Sequence, residues 1–258
     1  MPYADCHVHT TRSDGEMPIE AVPEAARRAG VSVVAITDHD VAPPLDGPAV
    51  ERDGVTLVAG IELRVEPADG DRVDLLGYGL QRTDALNAEI ERIQHNRRER
   101  GRAIVDCVET HLGIDLGVDV ADGFGRPHVA RAVAAHPEAD YDYQGAFDEL
   151  IGGGGPCFYS REVPSFERGR RLLSEACEVV SLAHPLRYRD PAAALELATK
   201  LDAVEREYPY GRPVDLESVD RVVEREGLAV TGGSDAHDDR LGVAGLSRAA
   251  YTALGLPG

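Results

Sequence analysis

The sequence predicts an α/β fold, with strands and helices alternating around a shared site and a small helical insertion interrupting the alternation. Two observations carry this. First, several short apolar runs end in a side chain able to ligate a metal. Tyr3 to His9 carries His7 and His9, and Asp38 and His39 follow Val33 to Ile36. Glu62 follows Thr56 to Ile61, His184 follows Val179 to Ala183, and Asp235 and His237 follow Leu228 to Gly233. Ligands recurring at strand ends mark a site built at the carboxyl ends of several parallel strands. Second, this rhythm stops between Asp84 and about Cys157. There Leu86, Ile90, Ile93, Ile104 and Val108 fall at helical spacing instead.

Taken in order, the first strand presents His7 and His9 on one face, because side chains two apart in a strand point the same way. Cys6 then faces the opposite, core side. Thr10 to Met17 is a loop carrying Asp14, and a helix starts near Pro18 or Pro23, where proline suits the first turn. Ile19, Val22, Ala26 and Ala29 form its apolar face and Gly30 its C-cap. After the strand Val31 to Ile36, residues 40–53 with their three prolines read as a loop. Arg72 to Tyr78 alternates as a further strand, entered through the turn Ala68-Asp69-Gly70-Asp71. A long helix runs from an Asp84 cap towards Leu112, with further helices at Arg126 to Ala135 and Gln144 to Ile151. The run Gly152-Gly153-Gly154-Gly155-Pro156 reads as a hinge, since no Lys-Ser/Thr follows to make it a phosphate cradle. Ser165 then caps a helix to about Cys177, Pro191 opens another, Ala203 to Arg206 is a short strand, and Leu216 to Glu226 is a helix ending at Gly227.

His7-x-His9, Thr37-Asp38-His39-Asp40, Gly60-Ile61-Glu62, Ala183-His184-Pro185 and Gly233-Ser234-Asp235-Ala236-His237 occur in one order along the chain. In that order they resemble the successive motifs of the PHP (polymerase and histidinol phosphatase) phosphoesterases, from residue 5 to about 240. The resemblance implies a distorted (β/α)7 TIM-like barrel from residues 1–83 and 157–258, with 84–156 as the helical insertion. It also implies a di- or trinuclear metal centre. Gly125-Arg126-Pro127-His128 resembles a narrower branch that includes nucleoside 3′,5′-bisphosphate phosphatases and trimming exoribonucleases. By the same resemblance His7, His9, Glu62 and Asp235 hold one metal. Glu62 bridges to a second shared with Asp74 and His184, and a third sits on Asp14, His39 and His237. Asp74 departs from the family pattern, in which this strand carries a histidine. Carboxylate is itself a good Mn²⁺ ligand, so the departure leaves the metal's identity and one site's occupancy open.

Five histidines and four carboxylates make a mixed nitrogen and oxygen donor set. It suits Mn²⁺ above all, or Zn²⁺ or Fe²⁺, and argues against a Ca²⁺ cage or an all-thiolate zinc. Two or three such ions a few ångströms apart lower the pKa of a shared water and neutralise the attacking and leaving oxygens in phosphate-ester hydrolysis. Glu62, Asp38 and His237 are the expected catalytic residues, with Asp38 and Asp5 expected to orient histidines through their ring N–H groups. For the substrate, the arginine cluster around Arg97 and Arg100 either pairs with neighbouring acids along its helix or contacts a second phosphate. Arg126 and His128 flank a helix start suited to an anion, and Arg187 follows His184 closely enough to clamp a phosphate.

The leading expectation is therefore a phosphoesterase acting on a small phosphorylated nucleotide. The alternatives are a trimming exoribonuclease, which needs a groove for a strand, and a histidinol-phosphate phosphatase, against which the insertion counts. A non-catalytic, metal-binding PHP module would show lost ligands. Amidohydrolases also use His-x-His at a barrel strand but need a bridging lysine, and the one lysine, Lys200, lies in a helix.

Composition bounds the partners. With 46 acidic residues and a net charge of -19, the surface repels nucleic acid, so no stable nucleic-acid complex is expected. No apolar run approaches the roughly 20 residues needed to span a membrane. The chain enters its first strand at once, leaving no room for a signal peptide, so a cytoplasmic location is expected. Four cysteines without paired spacing are expected to be reduced. One lysine among so many acids resembles adaptation to concentrated potassium chloride, where screening shrinks to about 3 Å. Oligomeric state is not legible.

Overall fold

The structure is a computed structural model and describes residues 1–257. In chain order its elements are β1 (Ala4–Val8), α1 (Val22–Ala29), β2 (Val33–Ile36), β3 (Ala49–Arg52), β4 (Val55–Val65), β5 (Val73–Tyr78), α2 (Asp84–Leu112) and α3 (Arg126–Ala135). They continue with α4 (Tyr143–Gly145), α5 (Phe166–Ala176), β6 (Val179–Leu182), α6 (Pro191–Ala198), β7 (Ala203–Glu207), α7 (Leu216–Glu226), β8 (Ala229–Gly232) and α8 (Arg248–Ala253). Two units emerge. One comprises Met1–Ala88 with the chain from Val163 onward, the other Glu89–Glu162.

In the first unit the spatial order of strands is β1-β2-β4-β5-β6-β7-β8, with β3 beside β4. Past the end of β8, Ala236 bridges Val8 in parallel, so the last strand returns to the first. This closure makes the curled sheet a distorted, seven-stranded TIM-like barrel. Strand β2 shows the double-sided burial of a barrel wall: Val33 and Ala35 join one apolar cluster, Val34 and Ile36 the other, which α1 covers. Cys6 is fully buried in the former cluster, as alternation in β1 requires. Helix α1 ends at Gly30, whose φ of 71° is the left-handed cap conformation. Thr83 rather than Asp84 caps α2, its hydroxyl accepting from the Leu86 amide at 3.2 Å.

Three expectations need correction. The strands are not all parallel: β5 runs antiparallel to both β4 and β6. The seven residues between β4 and β5 are too few for a parallel crossover, which takes a dozen or more. Glu62 does not end its strand either, because β4 continues to Val65. Residues 40–53 are not all loop, since β3 pairs antiparallel with β4 around Asp53 and Gly54. Both turn residues have positive φ, 52° and 76°, as an Asp-Gly hairpin turn demands.

In the second unit α2, α3 and a π-helical turn Ala146–Ile151 after α4 pack around Ile104, Val108, Phe124, Val129, Leu150 and Ile151. Cys107 and Cys157 form a disulfide across 50 residues of sequence, against the expectation of four reduced thiols. Spacing along the chain carried no sign of it, because the pair is made by the fold of the insertion. Cys6 and Cys177 are free. Among the described residues no helix is long and apolar enough to cross a membrane.

Candidate metal centre

Strand β1 delivers His7, and His9 follows just past its end. The His7 ring Nδ1 lies 2.9 Å from Glu205 Oε1. A carboxylate can only accept, so Nδ1 carries the proton and Nε2 turns towards the centre. There His7 Nε2 is 3.5 Å from Glu62 Oε2 and 3.4 Å from Asp235 Oδ1; for His9 Nε2 the distances are 3.3 and 3.2 Å. Both ring nitrogens are fully buried and make no hydrogen bond of acceptable geometry among the described residues. Buried polar atoms facing one another without partners are costly. Ligand atoms about 2.1 Å from a tetrahedral metal would stand about 3.4 Å apart, so the spacing fits a divalent ion shared by His7, His9, Glu62 and Asp235.

A second cluster, His9, Asp14, His39 and His237, shares His9 with the first. His237 Nε2 is 3.4 Å from Asp14 Oδ1, and His39 Nε2 is 3.9 Å from Asp14 Oδ2. His237 donates from Nδ1 to the Asp235 carbonyl at 2.9 Å, which aims Nε2 inward. The third cluster is Glu62, Asp74 and His184. His184 Nε2 lies 3.2 Å from Glu62 Oε1 and 3.9 Å from Asp74 Oδ2. Eight of the nine ligand residues expected from sequence thus fall into three adjoining clusters that share Glu62 and His9, with Asp235 beside His7 and His9 as the ninth. His7 and His9 are wholly buried, whereas His39 and His237 remain 20% and 36% exposed. The second cluster is therefore the accessible side of the centre.

The backbone is shaped for these positions. His184 and Asp235 have φ of 29° and 51°, left-handed conformations that cost non-glycine residues on the order of 1–3 kcal/mol each and recur at functional sites. A Cβ on Gly233 would stand 2.3 Å from the His7 amide nitrogen; only glycine lets the chain leaving β8 pass so close to β1.

Charge is tightly coupled here. Burial opposes a proton on His7, but Glu205, Asp235 and Glu62 surround it and raise its pKa well above the ordinary value. Burial likewise opposes His39, yet Glu62 and Asp14 push it up to about 9. His237 rises as well, its burial outweighed by the Asp14 carboxylate. His9 moves the other way, lowered by burial and by neighbouring His39. Burial disfavours ionised Asp14, Glu62 and Asp235, but the imidazoles beside them hold all three well below the usual carboxylate range. A metal taken up here must displace protons.

Glu205 and Arg64 were missed in the sequence. Glu205 is fully buried in β7 and binds the His7 ring through one oxygen and the His184 amide through the other, at 2.7 Å. It does the ring-orienting work expected of Asp38 and Asp5, which among the described residues hydrogen-bond no histidine ring. Asp38 accepts from the Thr10 amide, the Thr10 hydroxyl and the Ser13 hydroxyl at 2.6–2.8 Å. Asp5 accepts from Ser234 and the Gly242 amide. Each pins a ligand-bearing loop instead. The signal for Glu205 was present, since it too is a carboxylate at the end of an apolar run, Ala203-Val204.

Among the expected substrate contacts, only Arg187 is in the first unit. Its Nη1 donates to Asp235 Oδ2 at 2.9 Å and to the Tyr208 hydroxyl at 2.8 Å, with the side chain 52% exposed. Within the insertion, Arg97 is buried and donates to the Phe124 and Gly123 carbonyls. Arg100 donates to the Tyr159 carbonyl, and Arg126 stacks over Phe147. His128 Nδ1 accepts from the Gly125 amide.

A barrel carrying a multi-carboxylate, multi-histidine centre at one mouth defines a metal-dependent hydrolase. A match to the PHP domain over residues 5–180 makes the family plain: the chain belongs to it. Its relatives include the phosphoribosyl 1,2-cyclic phosphate 1,2-diphosphodiesterase of Eggerthella lenta, 29% identical over 90% of this chain and 93% of that protein. The 3′,5′-nucleoside bisphosphate phosphatase of Chromobacterium violaceum is 27% identical over 92% of this chain and 88% of its own. A solved structure from Bifidobacterium adolescentis, described as a metal-dependent phosphoesterase, superposes with a TM-score of 0.81. It is 22% identical and covers 97% of this chain and 94% of its own.

Proposed function

We propose that this metal-dependent phosphoesterase removes a phosphate from a small nucleotide, with nucleoside 3′,5′-bisphosphates as the substrate class. The observation that carries the reading is the convergence of eight ligand side chains into three adjoining clusters, with Asp235 beside His7 and His9 as a ninth, in a family whose members are named for phosphate-ester hydrolysis. His7, His9, Glu62 and Asp235 hold one ion. Asp14, His39 and His237 hold a second, and Glu62, Asp74 and His184 form the remaining subsite. Two or three Mn²⁺ ions suit this donor set. When bound, they supply Lewis acidity and an activated water.

The chain's own residues do the rest. Glu205 fixes the His7 tautomer, and Asp38 and Asp5 hold the ligand loops. Glu62 lies between clusters and sets their spacing. His237, whose Nδ1 donates to the Asp235 carbonyl, keeps Nε2 turned towards Asp14 as a ligand at the accessible side of the centre. Arg187, anchored on Asp235 and Tyr208, offers its remaining N–H groups to a substrate phosphate. Phosphate contacts by Arg100, Arg126 and His128 of the insertion are part of the same proposal, whereas Arg97 is buried on the Phe124 and Gly123 carbonyls and is left to hold the insertion together. So is adaptation to high salt, supported by the acidic, lysine-poor composition.

Phosphate release from a bisphosphate, a monophosphate, a cyclic phosphate, histidinol phosphate and short RNAs, with Mn²⁺ added, tests the reading. Preference for the bisphosphate supports it, and nucleotide-by-nucleotide shortening of RNA with no bisphosphate turnover would replace it with the exoribonuclease reading.

A further inference from the structure

The three clusters differ in what already occupies them. In the first two, the facing atoms are ring nitrogens and carboxylate oxygens turned towards one another. In the third, Asp74 already has a cation. Arg64 stands directly opposite Asp74 in the β4–β5 register, and its Nε and Nη2 grip the two carboxylate oxygens as a fork, with Nε to Oδ1 at 2.7 Å. Asp74 is 1% exposed and its backbone amide is bonded to the Tyr188 hydroxyl, so it has no room to turn away. Arg64 and Glu62 are two apart in β4 and share a face, which sets the guanidinium beside the carboxylate that bridges the clusters.

We propose that Arg64 is the resident cation of the Glu62–Asp74–His184 cluster, so that the centre takes two divalent ions and the guanidinium stands in for a third. A fork-on-fork pair commits both oxygens of Asp74 in its plane, and a divalent ion at His184 would have to approach a fixed positive charge across that carboxylate. Arginine cannot relieve the conflict by losing its proton. The guanidinium supplies positive charge without coordination, and Nη1, which Asp74 does not engage, keeps a donor for an anion on a side chain still 37% exposed. The sequence departure and the structure agree here: Asp74, unlike a histidine, is a partner for arginine.

This inference rests on the metal-centre reading, so its test counts metal and does not depend on turnover. Wild type and Arg64→Ala are stripped with chelator, loaded with excess Mn²⁺, desalted and measured by elemental analysis. Two ions per wild-type chain and three per Arg64→Ala chain are expected. Three in the wild type would overturn the proposal, as would two in both proteins, since the cluster would then not be a metal site that Arg64 fills. Arg64→Gln, which keeps the length and removes the charge, is measured beside it and should also gain an ion if the alanine variant fails to fold. A wild-type count of three overturns the proposal by itself, whereas a count of two supports it only together with the extra ion in an Arg64 variant. Fewer than two ions in the wild type would contradict the metal centre itself, whereas two ions with no phosphate release would sink the proposed substrate and leave this inference standing.

Discussion

Replacing Glu205 by Gln isolates a residue that touches no substrate and yet should govern metal affinity. Both of its carboxylate oxygens accept, one from His7 Nδ1 at 2.9 Å and one from the His184 amide at 2.7 Å, with no solvent reaching either. Glutamine has one acceptor and one donor, so one N–H must face another N–H. Leaving a buried donor unmatched costs about 1–3 kcal/mol, which should appear as lower thermal stability of the metal-free protein. The change also removes the carboxylate that fixes the His7 tautomer and makes the ring a stronger ligand. Losses of that kind weaken metal binding by about 10–100-fold, or about 1.4–2.8 kcal/mol. Mn²⁺ or Zn²⁺ titration against a competing chelator reads the affinity, and calorimetric melting of the chelated protein reads the stability. If affinity stays within twofold of wild type while the melt is unchanged, Glu205 does not orient His7.

Three further outcomes follow from the same geometry. His39, raised to about 9 by Glu62 and Asp14 against its burial, gives the metal-free chain stability that is complete below about pH 6.5 and lost as pH rises through 9. Loading metal should reverse that slope and release protons near neutrality. Melting temperatures of chelated protein that do not fall between pH 6.5 and 9.5 would contradict the assignment. Reducing Cys107–Cys157 should destabilise the insertion by about 2–4 kcal/mol, read by hydrogen exchange in α2 and α3; unchanged protection would mean the bridge is dispensable. The melting temperature should also climb from dilute to molar potassium chloride, because screening relieves repulsion among the 46 acids. A flat response would remove the high-salt reading.

Much of the barrel was legible because its elements are local. His7 and His9 on one side of β1 with Cys6 on the other follow from the two-residue period, and α3 and α7 coincide with their apolar periodicity and end signals. What escaped depends on which strand lies beside which. The antiparallel entry of β5 sets Asp74 opposite Arg64, and no reading along the chain pairs residues ten apart in that register. Glu205 looked like one charge among several in Ala203–Glu207; its neighbour His7 is 198 residues away. The Asp53-Gly54 turn, by contrast, was a local hairpin signal obscured by the prolines before it.

The central claim is that these ligands hold metal and that the metal centre hydrolyses a phosphate ester. It is tested most directly by phosphate release from a nucleoside 3′,5′-bisphosphate, comparing chelated, Mn²⁺-restored and Glu62→Ala protein. Activity that is abolished by chelation, returns with Mn²⁺ and is lost in a folded Glu62→Ala protein with reduced metal content is the predicted result. Release that survives chelation, or that Glu62→Ala retains at the wild-type rate, would contradict it.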